Sequence, residues 1–221
     1  MATKKRDNSI KNGYLSFVDK VARAMSKTGL SPTFYTITGF VLAIFAGVAL
    51  WLGHLIIGGI LLFAGGIFDS MDGAIARLNG RATKFGALLD STLDRYSEFA
   101  IYLGFYGYLG HSYAKFVEFY QIMAIFALVG SVMVSYVRAR SEGLGIACSV
   151  GFWQRPERII ALGTASIFTG FLNPLFISIS YNYMHDFFIK LVLIVLAIGT
   201  NITAVGRLFH GRDFLREKGL N

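Results

Sequence analysis

Apolar runs close to twenty residues long recur along the chain, separated by short polar or basic stretches. They fall at roughly 33–52, 56–79, 85–109, 118–139, 155–174 and 187–208. A helix needs about 20 mainly apolar residues to cross a bilayer core, so the pattern predicts six transmembrane helices. The third and fifth runs are only half apolar, with polar residues filling their N-terminal turns. Residues 8–28 read differently. Ile10, Tyr14, Phe17, Val18, Val21 and Ala22 recur at near-helical spacing, with Lys11, Lys20, Arg23 and Lys27 mostly around the other side. That arrangement predicts an amphipathic helix lying in the membrane interface. Gly29 and Leu30 break it, and Ser31 is placed to cap the first span with Pro32 at its first position. The expected fold class is therefore all-α: a polytopic membrane protein of six transmembrane helices preceded by an N-terminal interfacial helix. The expected divisions are 1–30, a spanning domain over 31–210, and a tail over 211–221.

Composition agrees with a lipid solvent. Of the 221 residues, 54% are hydrophobic and 15% charged, and the mean hydropathy is +0.55. No cleavable signal peptide is expected, because the basic first 30 residues lack a compact apolar run ending in small residues. The single cysteine, Cys148, cannot close an intramolecular disulfide. The net charge of +8 fits either nucleic acid or an anionic membrane surface, and its placement favours the membrane, with no nucleic-acid partner. Lys and Arg gather in the N-terminal segment, in the 2–3 connection (Arg77, Arg81, Lys84), in the 4–5 connection (Arg138, Arg140, Arg155, Arg158) and in the tail; only Lys115 and Lys190 lie on the other side. By the positive-inside rule both termini and those two connections face the cytoplasm of a cell membrane.

The candidate chemistry gathers at the cytoplasmic ends of spans two and three. Asp69 and Asp72 are three apart, and Asp90 and Asp94 four apart, so each pair shares a helix face. A short turn makes the two helices antiparallel neighbours, which lets four carboxylates converge. One Asp near a helix centre costs roughly 2.5–3.5 kcal/mol on insertion scales, and four together repel one another. Divalent cations relieve both problems. Oxygen donors without His or Cys favour Mg²⁺ or Mn²⁺, and four carboxylates match the charge of two such ions, an arrangement suited to in-line phosphoryl displacement. Gly73 and Gly86 leave bare backbone beside the acids for a ligand to approach, Ala76 is small on the Asp69–Asp72 face, and Arg77 is placed to meet a phosphate.

Asp69, Asp72, Gly73, Ala76, Arg77, Gly86, Asp90 and Asp94 together reproduce the signature D-x2-D-G-x2-A-R-x8-G-x3-D-x3-D. The chain thus resembles the CDP-alcohol phosphotransferase family at all eight fixed positions, and the six-span layout extends the likeness over nearly its whole length. The resemblance implies a metal-dependent enzyme of phospholipid biosynthesis. Such an enzyme moves a phosphatidyl-type group from CDP-diacylglycerol, or its ether-lipid equivalent, to an alcohol and releases CMP. It implies that Asp69, Asp72, Asp90 and Asp94 hold the metal, that Asp94 is also the general base, and that Gly73, Ala76, Arg77 and Gly86 border the cytidine diphosphate. The entry to the first span, Ser31-Pro32-Thr33-Phe34-Tyr35-Thr36, looks like the family's nucleotide-side turn, with Thr33 where many relatives carry Asn. A homodimer is also implied.

For the acceptor, Arg138 at the end of span four and Arg155 and Arg158 at the start of span five form a basic group suited to a dianionic phosphate. The stretches 84–95 and 135–145 resemble the phosphatidylinositol phosphate and archaetidylinositol phosphate synthase branch, whose acceptor is inositol 1-phosphate. Glycerol 3-phosphate, as in a phosphatidylglycerol phosphate synthase, is the alternative. Glu98, one turn beyond Asp94, is placed to face the acceptor pocket and Glu142 follows the basic pair, but both read by default as intrahelical or loop salt-bridge partners. A cation-dependent transporter is the reading from another class; it predicts acids spread along a path and an internal repeat, and the sequence has neither.

Overall fold

The computed structural model describes residues 29–78, 80, 82–111, 116–178 and 185–219. The interfacial helix expected at 8–28 lies outside the described residues. Within them the chain forms six helices and no strand: α1 (Pro32–Trp51), α2 (Leu55–Leu78), α3 (Lys84–Gly110), α4 (Val117–Gly143), α5 (Arg155–Ser178) and α6 (Phe187–Glu217). Each follows one of the apolar runs to within a few residues at its start. The C-terminal ends of α1 and α2 fall one residue short of their runs and those of α3 to α6 run longer; α6 continues to Glu217, so most of the segment read as a tail is helical.

Five of the helices are long and apolar enough to cross a membrane. The sixth, α3, has the length at 27 residues. Its first half carries Lys84, Asp90, Asp94, Arg95 and Glu98, which lowers its average apolarity. Large apolar side chains stand exposed along the helices, among them Phe45, Ile57, Leu103, Phe126, Phe171 and Ile202. On a water-soluble protein such a surface would drive association; around a multi-pass membrane protein it is the face that meets lipid.

The chain divides into two compact units, one of residues 1–42 and 64–94, the other of 43–63 and 95–221. The first contains the start of α1, the end of α2 and the start of α3. Its core is Tyr35, Met71, Ala74 and Ile75, with Phe68 against them. Ser31 caps α1 as the sequence predicts, accepting from the Phe34 N–H at 3.3 Å, and Thr83 caps α3, accepting from the Gly86 N–H at 3.0 Å. Between α2 and α3, Gly80 turns the chain at a φ of 62°, a conformation glycine adopts without strain. A side chain on Gly39 would stand 3.2 Å from the Gly65 carbonyl oxygen and 3.4 Å from the Asp69 nitrogen. Bare backbone there lets α1 and α2 approach closely enough to set the position of Asp69.

The second unit buries a larger cluster that includes Ala46, Leu50, Leu62, Ile101, Phe105, Leu109, Leu193 and Leu196. Small residues again control its crossings. A Cβ on Gly104 would lie 2.9 Å from the Gly47 Cα, so α1 and α3 touch backbone to backbone. Between α4 and α6, Asn201 donates to the Phe126 carbonyl at 3.1 Å, and Arg207 donates through Nη1 to the Val134 carbonyl at 2.6 Å.

Candidate functional site

Every residue of the acidic signature belongs to the first unit. Asp69 lies on α2, Asp90 and Asp94 on α3, and carboxylate oxygens from the three all come within 4.8 Å of one another. The i, i+4 spacing on α3 puts its two acids on one face, and the short link through Gly80 turns that face toward the end of α2. Like charges gathered this closely repel. Hard oxygen donors, with no His or Cys among them, suit a divalent cation such as Mg²⁺ or Mn²⁺, so the donor set fits the metal that the sequence implies.

Asp72, the fourth predicted ligand, stands apart from that triple. It is buried, and its Oδ2 accepts a hydrogen bond from the Thr36 hydroxyl at 2.6 Å. The Pro32 carbonyl is 3.2 Å from the same hydroxyl. From sequence Thr36 is the last residue of the segment that resembles the family's nucleotide-side turn, with no role of its own. Its one signal was a threonine one turn into a capped helix, which by itself usually bonds back to its own backbone.

A cavity of about 350 Å³ opens beside the acids. Pro32, Thr33 and Thr36 line it from α1; Asp72, Gly73, Ala76 and Arg77 from α2; Ala82, Thr83, Gly86, Ala87 and Asp90 from α3 and the residues before it. All five residues read from sequence as bordering the nucleotide (Thr33, Gly73, Ala76, Arg77 and Gly86) therefore share one cavity with two of the acids. Thr83 joins them unpredicted. The N-terminal turns of α1 and α3 both line this space, and the dipoles of the two helices favour an anion there. A Cβ on Gly73 would come within 3.3 Å of Arg77 Nη1, so the glycine leaves the guanidinium its place at the cavity wall.

The three predicted phosphate-binding arginines belong to the second unit and are not alike. Arg138 is exposed and pairs with Glu142 at 2.9 Å along α4. Arg155 is half-buried in the first turn of α5. Arg158 is 2% exposed; it donates through Nη1 to the Trp153 carbonyl at 2.9 Å and is ion-paired through Nη2 with Glu98. Glu142 is thus the intrahelical salt-bridge partner expected by default, whereas Glu98 pairs with an arginine of another helix.

Residues 30–203 match the family described as CDP-alcohol phosphatidyltransferase. An archaetidylinositol phosphate synthase of Methanothermobacter thermautotrophicus is 37% identical over 196 residues, which is 88% of this chain and 88% of that protein. A phosphatidylinositol phosphate synthase of Mycobacteroides abscessus is 32% identical over 158 residues, 71% of each chain. Among solved structures, the phosphatidylinositol phosphate synthase of Mycobacterium tuberculosis with CDP-DAG bound superposes with a TM-score of 0.72 at 29% identity, over 88% of this chain and 92% of that one. The same enzyme in complex with manganese and citrate gives 0.73 at 30% identity, over 88% of each.

Proposed function

The chain belongs to the CDP-alcohol phosphatidyltransferase family, and from that premise we propose that its acceptor alcohol is inositol 1-phosphate. The reaction class follows from membership: the enzyme transfers a substituted phosphate from a CDP-linked lipid to an alcohol and releases CMP, with a divalent metal. The acceptor reading is carried by the likeness to inositol phosphate synthases over 88% of the chain. Arg138 and Arg155 are the basic side chains assigned to its phosphate.

The proposed chemistry uses the groups of the first unit. The CDP pyrophosphate lies in the cavity between the starts of α1 and α3, against Arg77 and the bare backbone of Gly73 and Gly86, with Ala76 beside it. Thr33 offers a hydroxyl to the nucleotide side. The acceptor hydroxyl attacks the phosphorus that bears the lipid, and the bond from that phosphorus to the CMP oxygen breaks. Asp94 receives the hydroxyl proton. Asp69, Asp90 and Asp94, with Asp72 held by Thr36, are the residues that would bind the metal, as one ion or two. When bound, Mg²⁺ or Mn²⁺ neutralises the charge of the pyrophosphate and of the departing CMP. The basic connections support a cytoplasmic orientation for this site by the positive-inside rule; there a water-soluble acceptor and CMP exchange freely. The lipid arrives as CDP-diacylglycerol or its ether equivalent. Homodimerisation is part of the same reading, from the family likeness.

Purified protein given a CDP-lipid and, in parallel, inositol 1-phosphate, glycerol 3-phosphate, inositol and serine should release CMP fastest with inositol 1-phosphate. Release with glycerol 3-phosphate alone would make the phosphatidylglycerol phosphate reading correct instead.

A further inference from the structure

Arg158 occupies a position that a phosphate ligand does not require. Its side chain is buried, and two of its nitrogens are committed, one to the Trp153 carbonyl and one to Glu98. Glu98 is buried as well, at 6% exposure. Its Oε2 has no hydrogen-bond partner, so Arg158 supplies the charge balance of that carboxylate. A buried ion pair in a membrane helix is costly to assemble and costlier to leave half-made. Glu98 lies on α3, Trp153 ends the stretch before α5, and Arg158 lies one turn inside α5. A single guanidinium therefore fastens the approach to α5, and the first turn of α5 itself, to α3.

The stretch before α5 is held at two further points. Arg207 on α6 donates through Nε to the Val150 carbonyl at 2.7 Å, and His210 Nε2 lies 3.2 Å from the Ala147 carbonyl. Carbonyls at 147, 150 and 153, three residues apart, each meet a basic side chain. Only the last of these attachments reaches the helix that carries Arg155. Arg155 and Arg158 are three apart on α5 and so share a face.

We infer that Glu98 is a positioning residue for the acceptor: it holds Arg158, and through Arg158 the first turn of α5, so that Arg155 presents one orientation to the acceptor phosphate. The inference rests on the acceptor reading above. Arg158 is then a fastening and not a phosphate ligand, which leaves Arg138 and Arg155 for the phosphate.

The test is a pair of Michaelis constants from CMP release by the full chain in detergent, with inositol 1-phosphate and the CDP-lipid varied in turn. Glu98→Gln keeps the size of the side chain and removes its charge. It should raise the KM for inositol 1-phosphate about tenfold and leave that for the CDP-lipid within about twofold. Glu98→Asp, which keeps the charge, should recover part of the loss. An equal rise in both constants, or no rise, overturns the inference. If Glu98→Gln proves too unstable to assay, Glu98→Gln with Arg158→Met removes both charges and avoids a lone buried guanidinium. That double variant should also show the selective rise, and a parental acceptor KM in it overturns the inference equally. Arg155→Ala separates the two readings. A selective rise for Arg155→Ala with none for Glu98→Gln sinks the positioning role alone. A selective rise for Glu98→Gln with none for Arg155→Ala sinks the phosphate assignment of Arg155 and, with it, the positioning role.

Discussion

The two units treat charge in opposite ways. In the first, the fold collects like charges, bringing carboxylate oxygens of Asp69, Asp90 and Asp94 within 4.8 Å of one another. In the second, it takes charges deep into the protein and matches them, Arg158 with Glu98 and the Trp153 carbonyl, Arg207 with the Val134 and Val150 carbonyls. Bringing like charges together is unfavourable, and a divalent cation relieves the repulsion with oxygen donors it favours, so the first pattern fits a place for a cation. Matched burial marks structure, because the charge of Arg158 is met by a carboxylate of the same chain. The contrast separates acidic residues that meet metal from basic residues that hold helices in place, although both kinds look equally functional in a sequence.

The largest break in this comparison comes from Asp94. If it is both metal ligand and proton acceptor, Asp94→Asn should lower turnover by about 10² to 10⁴-fold. Binding of Mn²⁺, followed by titration of the purified protein, should weaken far less, since Asp69 and Asp90 remain. Turnover near the parental rate in Asp94→Asn would remove the general-base role. Chelation by EDTA should abolish CMP release in the parent, and Mg²⁺ or Mn²⁺ should restore it.

A smaller effect is expected at Thr36, which links α1 to the acids. Thr36→Val keeps the shape and removes the hydroxyl that donates to Asp72. A hydrogen bond to a charged group contributes about 1.5–3 kcal/mol, so metal affinity and turnover should fall by about 10- to 150-fold. Thr36→Ser should keep most of both. If the valine variant matches the parent in Mn²⁺ titration and CMP release, the Asp72 carboxylate needs no anchor from α1.

How much of this the sequence carried depends on the range of the interaction. Helix positions were legible because apolar length and the Ser31-Pro32 cap signal are local. The acidic site was legible because its eight residues fall within 69–94, on two helices joined by a short turn, so spacing alone predicts convergence. The hydrogen bond that holds Asp72 was not, since its donor is a hydroxyl 36 residues away. The arginines were misleading for the same reason. Arg138 and Arg158 are equivalent in a count of basic residues near a membrane surface. They differ only because one meets Glu142 four residues along its own helix, whereas the other meets Glu98 60 residues away. The backbone contact of Gly47 with Gly104 was likewise hidden: a sequence displays small residues but not the helix they touch.

Arg138 gives the smallest effect and the sharpest test of what an exposed arginine does here. Its pair with Glu142 leaves 48% and 51% of the two side chains exposed, and such pairs contribute about 0–1 kcal/mol. Arg138→Gln should therefore shift the melting midpoint little, unlike any change that leaves Arg158 or Glu98 unmatched. If Arg138 serves the acceptor phosphate, the same variant should raise the acceptor KM. That penalty should shrink as salt rises, because an exposed charge is screened within about 8–10 Å. Glu142→Gln makes the opposite change: it frees Arg138 from its neighbour at the same small cost in stability, and so should lower the acceptor KM or leave it unchanged. A rise in acceptor KM for Glu142→Gln as large as that for Arg138→Gln would mean that the pair matters as a unit. Arg138 would then join Arg158 among the residues that hold the protein together, leaving Arg155 as the one predicted arginine for the phosphate.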